Sequence, residues 1–314
     1  MSLLSIKDLK VYYTGHSLFH RQTTTKAVDG VSLSIDKHET LGLVGESGSG
    51  KSTLGRAILF LVKPTHGSIE FDDIDVIDAF EHKKKDMIRR FRQEAQIVFQ
   101  DPYSSLNPRM KVGNIISDPL LVNGVRDKKI LKEKAIELLK LVGLPESAYD
   151  KYPYAFSGGQ RQRISIARAL SIDPRFIVAD EPVSSLDISI QAQLLNLFKE
   201  IQEKKQVSYL FISHDLRTVG FIAHRIAVMY MGRIMELAPK SELITHPLHP
   251  YTKLLLSSIP STERMPIELK EGTNGSQTGC AFAPRCNYVK NICMDISPQL
   301  KEVSPGHMVA CYLY

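Results

Sequence analysis

Short apolar runs recur along the chain, and longer helical patterns fill the intervals between them. TLGLV at 40–44, AQIVF at 95–99, RFIVAD at 175–180, SYLFIS at 208–213 and RIAVMYM at 225–231 have too few polar positions for strands with one wet face. Such runs read as parallel strands covered on both sides, and the helical stretches between them supply the cover. One stretch, QRQRISIARALS at 160–171, sets Ile164, Ala167, Arg168 and Ser171 at helical spacing; another, IQAQLLNLFKEIQEKK, fills 190–205. Alternating β and α patterns define an α/β fold whose ligands sit beyond the C-terminal ends of the strands. The rhythm breaks between 101 and 155, where DKKILKEKAIELLKLVGL (127–144) lines up Ile130, Ala135, Leu138, Leu139 and Val142 as one stripe. This reads as an inserted helical subdomain. Beyond about residue 236 proline-rich loops are expected, with HPLHPYT at 246–252 and TNGSQTG at 273–279, and no internal repeat is found.

Composition adds bounds. With 314 residues and 43% hydrophobic content, the chain can bury a full core and is long enough for one large domain plus an appendage. The start, MSLLSIKDLK, lacks the basic-then-apolar pattern of a secretory leader, and no run of about 18 uncharged apolar residues occurs. A cytosolic chain that does not itself cross a membrane is therefore expected, and Asn274-Gly275-Ser276 reads as a loop despite fitting a glycosylation sequon. The net charge of +6 suits nucleic acid, an acidic membrane surface or a polyanionic ligand equally well. Its densest basic run, HKKKDMIRRFRQ at 82–93, spreads charge round a helix and reads as a solvated face.

The chemistry concentrates in a few places. Gly45-Glu46-Ser47-Gly48-Ser49-Gly50-Lys51-Ser52-Thr53 follows the first apolar run and opens a helical pattern. A strand, a glycine-rich turn carrying lysine and serine, and a helix form a phosphate cradle. Backbone N–H groups close round the β-phosphate, Lys51 reaches the β and γ oxygens, and the Ser52 hydroxyl ligates Mg²⁺. FIVADE (176–181) ends in an acid pair: Asp180 can hold Mg²⁺ through water, and Glu181 can polarise an attacking water. His214 follows another apolar run, where its ring can bond the γ-phosphate or serve only the structure. Ser157 stands before Gly158 and Gly159 at a helix start, a pattern that presents N–H groups to a second anion. These parts define a nucleotide-hydrolysing site but leave GTPases and kinases open.

SGGQ at 157–160, lying between the lysine loop and the acid strand and followed by SSLD at 184–187 and by His214, resembles the nucleotide-binding subunits of ABC transporters. The resemblance implies a RecA-like P-loop core with an N-terminal antiparallel β subdomain, an inserted helical subdomain at about 101–170, and a small C-terminal extension. The ATPase domain would occupy 1–235 and the extension 236–314. It also implies that Ser157, Gly158, Gly159 and Gln160 cap the ATP held by a partner subunit's lysine loop, and that Asp187 couples the two sites. By the same likeness Gln100 senses Mg²⁺ and the attacking water, and Tyr13 stacks on adenine, with Tyr12 as the competing register. Phe156 stands where the family more often has leucine.

VFQDPYSSLNPRM (98–110), DEPVSSLDISIQAQLLNL (180–197), LFISHDL (210–216) and HPLHPYTKLLLSSIP (246–260) resemble the ATP-binding subunits of bacterial oligopeptide and dipeptide importers, the second of their two ATPases more than the first. This implies an ATPase on the cytoplasmic face of the membrane. Its partners would be a homologous ATPase subunit, two transmembrane permease subunits and an extracytoplasmic peptide-binding protein, with no nucleic acid. Nickel and glutathione importers use similar ATPases, so the cargo stays open. A soluble ABC ATPase acting on DNA or ribosomes would need two cassettes or a long coiled coil, and neither is found in this sequence.

All four cysteines, Cys280, Cys286, Cys293 and Cys311, fall in the last 35 residues, spaced C-x5-C-x6-C-x17-C. Free thiols, a four-thiolate zinc site and an iron–sulfur cluster compete. Zinc fingers prefer close C-x₂₋₄-C pairs, and the spacing also departs from ferredoxin runs. The tail resembles the C-terminal domain of peptide-importer ATPases, in some of which a [4Fe–4S] cluster is bound, and this implies such a cluster in a structural role.

Overall fold

The described residues of the computed structural model are 2–17, 20–257 and 278–314. The sequon at 274–276 and the last residues of the 246–260 stretch lie outside them. In chain order the elements are β1 (Ser2–Ser17), β2 (His20–Asp36), β3 (Thr40–Val44), α1 (Lys51–Ile58), β4 (His66–Phe71), β5 (Ile74–Asp75), α2 (Val76–Glu81), α3 (Lys85–Glu94) and β6 (Ala95–Val98). Then follow α4 (Pro102–Ser105), α5 (Val112–Val122), α6 (Lys128–Leu141), α7 (Gly158–Leu170), β7 (Phe176–Asp180), α8 (Ile188–Lys205) and β8 (Ser208–Ser213). The chain closes with α9 (Leu216–Ile222), β9 (Arg225–Tyr230), β10 (Arg233–Pro239), α10 (Lys240–Thr245), α11 (Pro250–Ser257), α12 (Ile292–Asp295), β11 (Lys301–Ser304) and β12 (His307–Val309). It divides into two compact units, Met1–His82 with Phe211–Tyr314, and Lys83–Leu210, with the boundary inside β8. Among the described residues no helix is long and apolar enough to cross a membrane.

The first unit holds two sheets. β2-β1-β4-β5 are antiparallel neighbours, and alternate residues such as Leu4, Ile6, Leu9, Val11, Ile69 and Phe71 are buried, as expected of strands with one solvated face. The other sheet runs β11-β12-β10-β9-β3 in this unit, with β3 parallel to β9. Every residue of β3 is buried, as its unbroken apolar run predicts. The tail is more regular than its prolines suggest. The loops expected after about 236 give way to α10, α11 and the β11–β12 hairpin, because Pro250 occupies the first turn of α11, where proline has no N–H to lose.

In the second unit, β6 and β7 pair in parallel and helices follow each of them. Ala135, Leu138, Leu139 and Val142 form the buried stripe of the α6 stretch, but Ile130 is 52% exposed. The first turn of α6 is exposed apart from Leu131, so the apolar stripe has no partner at that end. The basic run begins its helix at Lys85, not at His82; its charged face is solvated as read, and Phe91 alone of α3 is buried.

Candidate functional site

In the first unit β3 delivers the chain to the loop 45–50, and α1 begins at Lys51. Gly50, the residue before α1, has φ +103°, and a Cβ there would lie 2.0 Å from the Ala27 carbonyl oxygen. A Cβ on Gly45 would lie 2.1 Å from the Met229 carbonyl oxygen. The loop is therefore pressed against backbone on both sides, and its outer edge is left for a ligand. Lys51 is 4% exposed, and its ammonium donates to the carbonyl oxygens of Gly45 (2.8 Å) and Glu46 (2.9 Å). Ser47 and Gly48 are exposed and Ser49 is buried, with its carbonyl accepting from the Gly232 N–H at 2.8 Å. Ser52 and Thr53 in the first turn of α1 are half-buried.

Glu46 is held from the C-terminal region. Its N–H donates to the Tyr251 hydroxyl at 2.9 Å, and its carboxylate accepts from Arg285 Nη1 at 2.9 and 3.1 Å. Neither partner was found by reading the sequence, because they lie 205 and 239 residues away. On β1, Tyr13 is exposed, whereas the Tyr12 hydroxyl donates to Asp29. Asp29 also accepts from Arg233 Nη2 at 2.6 Å. Burial, together with that carboxylate, pushes the Tyr12 hydroxyl up to about 12. A ring fixed in this way leaves Tyr13 as the aromatic open to a ligand. His214, directly after β8, is exposed.

The second unit carries the acid pair and the serine-glycine turn. Asp180 ends β7 and is 1% exposed; Glu181, the next residue, adopts φ 45°, a left-handed conformation in which a non-glycine residue is strained. Gln100, two residues past β6, donates from Nε2 to Glu181 Oε2 at 3.3 Å and to Ser184 Oγ at 3.4 Å. The glutamine and the acid thus meet in one hydrogen bond. Ser157 caps α7 in a capping box: its Oγ accepts from the Gln160 N–H, and Gln160 Oε1 accepts from the Ser157 N–H at 3.0 Å. Gly158 and Gly159 are the first helical residues, at the helix start that Ser157 before two glycines marks, and a Cβ on Gly159 would lie 2.6 Å from Ile190. Phe156 is buried and Asp187, at the N-cap of α8, is exposed.

Cys280, Cys286, Cys293 and Cys311 line one cavity with His249 and Phe282. The lining contains no carboxylate. Burial pushes the Cys280 thiol up to about 11 and raises that of Cys311. Among the described residues no group of three or more His, Cys, Asp or Glu side chains is placed to hold a metal ion. The [4Fe–4S] cluster that the tail's resemblance implies therefore finds no support in the placement of these side chains.

A strand-to-helix phosphate loop, a buried aspartate followed by a glutamine-linked glutamate, and a capped serine-glycine turn together define a P-loop ATPase of the ABC class. Known proteins agree. The family described as "ABC transporter" matches residues 28–184, and "Oligopeptide/dipeptide transporter, C-terminal region" matches 235–293. The chain is 49% identical to the oligopeptide transport ATP-binding protein AppF of Bacillus subtilis, over 100% of its own length and 98% of that protein's. It is 45% identical to the dipeptide transport ATP-binding protein DppF of Escherichia coli, over 99% and 94% respectively. Among solved structures, an ATP-binding cassette, MJ0796, described in a dimeric post-hydrolysis state with ADP and Pi, matches with TM-score 0.65 at 28% identity, covering 76% of this chain and 98% of that one. CbiO1 of Clostridium perfringens matches with TM-score 0.66 at 26% identity, covering 78% and 91%. The chain belongs to the ABC transporter ATP-binding family, and it is an ATPase.

Proposed function

We propose that this chain is the ATP-hydrolysing subunit that energises a bacterial importer of oligopeptides or dipeptides. The observation that carries the reading is the end-to-end likeness to peptide-transport ATP-binding proteins, joined to a phosphate loop and a Gln100–Glu181 pair of the required chemistry. Residues 1–235 act as the ATPase domain, with a helical subdomain at about 101–170, and residues 236–314 as the importer-type extension. Residues Gly45, Glu46, Ser47, Gly48, Ser49, Gly50 and Lys51, with the hydroxyl groups of Ser52 and Thr53, form the phosphate cradle, in which the Glu46 N–H is already engaged by Tyr251; Tyr13 stacks on adenine. Ser52, Gln100 and, through water, Asp180 would hold Mg²⁺, which would neutralise charge on the phosphates. Glu181 takes a proton from the attacking water, oriented by Gln100, and His214 bonds the γ-phosphate.

Ser157, Gly158, Gly159, Gln160 and Asp187 act on nucleotide held by a homologous ATPase subunit, so that two chains close over two ATP molecules. Closure drives two transmembrane permease subunits, supplied by an extracytoplasmic peptide-binding protein, from the cytoplasmic face of the membrane. Glu181→Gln is expected to lower turnover by about 10²–10⁴-fold while ATP binding persists. Wild-type turnover in that variant would sink the assignment.

A [4Fe–4S] cluster in a structural role is the further reading, resting on the tail's likeness to peptide-importer ATPases and on wide ligand spacing that suits a cluster whose irons each need one thiolate; the four thiols line one cavity but would have to draw together to hold it. Anaerobically purified protein is expected to be brown, to absorb broadly near roughly 400 nm and to carry about four irons per chain. A colourless anaerobic preparation holding stoichiometric zinc, or no metal, would refute this.

A further inference from the structure

Glu46 is an odd residue to find in a phosphate loop. A carboxylate beside a polyphosphate site repels the ligand unless its charge is met locally. Here it is met by Arg285, which also donates to the Tyr230 hydroxyl at 3.3 Å. The same residue is fixed through its main chain: Tyr251 accepts its N–H, and Lys51 donates to its carbonyl oxygen. Two of these three attachments come from the C-terminal region, one from α11 and one from the 3₁₀ turn Ala283–Arg285.

The attachments rest on packed rings. Tyr251 and Tyr230 lie 4.6 Å apart between ring centroids, and Phe282 meets Tyr230 edge-on at 5.5 Å and Tyr251 at 5.4 Å. Tyr230 directly follows Met229, whose carbonyl oxygen is the atom that bars a side chain at position 45. A loop gripped from this cluster keeps the peptide planes on either side of Glu46 in one orientation. The N–H groups that follow are thereby aimed before any phosphate arrives.

We propose that Arg285 and Tyr251 are positioning residues of the nucleotide site: through Glu46 they set the conformation and the charge of the phosphate loop, so that the C-terminal extension governs nucleotide affinity. The inference rests on the reading of residues 45–53 as the ATP site. Arg285 acts by cancelling the Glu46 charge, and Tyr251 by holding the Glu46 peptide. Neither touches the reacting atoms, so the effect belongs to binding and not to the chemical step.

The test uses the full-length chain, titrated with a fluorescent ATP analogue in Mg²⁺, alongside steady-state ATPase kinetics. Arg285→Gln is expected to weaken binding about tenfold, within the usual range for coupling between sites, with kcat at saturating ATP nearly unchanged. Tyr251→Phe is expected to weaken it about threefold, by the lower part of that reasoning. The decisive arm is Glu46→Gln with Arg285→Gln: the double variant should bind within about twofold of Glu46→Gln alone, because the arginine then has no charge to cancel. Wild-type affinity in Arg285→Gln, or losses that simply add in the double variant, would overturn the proposal. If Arg285→Gln does not fold, Tyr251→Phe and Arg285→Lys decide it, and unchanged affinity in both overturns it. Failure of the unaltered chain to bind ATP is a separate result that removes the ATP-site reading itself.

Discussion

Three glycines in the phosphate loop differ in what surrounds them. Gly48 has φ +80° with nothing within 4 Å of an added Cβ, whereas Gly50 combines φ +103° with a backbone oxygen 2.0 Å away. Gly48→Ala carries only the left-handed penalty, about 1–2 kcal/mol. Gly50→Ala must in addition push the loop off Ala27. Thermal unfolding of the two variants without nucleotide is expected to show a modest loss for the first and a larger one for the second, and ATP titration should show weak binding in the first and none in the second. Equal melting temperatures would mean that the contact with Ala27 yields freely. This part of the site was legible because all its groups fall within nine consecutive residues. Tyr251 and Arg285 were not, since no spacing rule connects residues brought together only by the fold. That the Tyr12 hydroxyl is tied to Asp29 while Tyr13 is exposed is likewise something a sequence does not display.

At the scale of elements, buried strands were read within a residue or so, because an unbroken apolar run has one outcome in an α/β fold. Helix ends were read less well. Ile130 belongs to the stripe by period but to the exposed turn of α6 by position, and a periodicity argument sees only the former. Between elements, Asp173 accepts from Lys205 at the end of α8 (2.9 Å) and pairs with Lys134 of α6 (3.1 Å). Burial pushes its carboxyl up, but the two lysines outweigh it and hold the group below the ordinary value. A carboxyl lowered in the folded state stabilises above its unfolded pKa, near 4, and loses that contribution as pH falls through the folded value. Asp173→Asn is therefore expected to cost up to about 1 kcal/mol at neutral pH, discounted because the side chain is half-exposed, and less at an acid pH below about 4. Urea unfolding at the two pH values checks this; a cost undiminished in acid would point to shape and not charge.

At the scale of the whole molecule, a single buried acid ties the tail down. Glu236 of β10 is fully buried; its carboxylate lies 2.7 Å from His307 Nε2 on β12 and accepts the N–H groups of Leu248 (2.8 Å) and His249 (2.9 Å) ahead of α11. One side chain thus joins a strand, the hairpin that ends the chain and the helix that carries Tyr251. Removing one member of a buried, hydrogen-bonded pair costs about 3–5 kcal/mol. Glu236→Gln is expected to lower the melting temperature and to make residues 278–314 the first part cleaved in limited proteolysis. Cleavage elsewhere first would show that the tail is anchored by other means. The sequence hid this arrangement because an isolated glutamate in an apolar strand and a histidine 71 residues later carry no shared pattern.

Lys51 alters how the commonest test of such a site reads. Its ammonium already serves the carbonyl oxygens of Gly45 and Glu46, so the charge that is to meet phosphate also works as an internal brace. Truncating it to alanine or methionine takes a donor from a buried carbonyl, a loss of about 1–3 kcal/mol, before any ligand is considered. A Lys51→Ala protein that fails to hydrolyse ATP has therefore lost both loop architecture and phosphate contact, and its silence does not say which. Melting it without nucleotide separates the two: a lowered midpoint measures the brace, and only the remaining deficit in binding belongs to the phosphate.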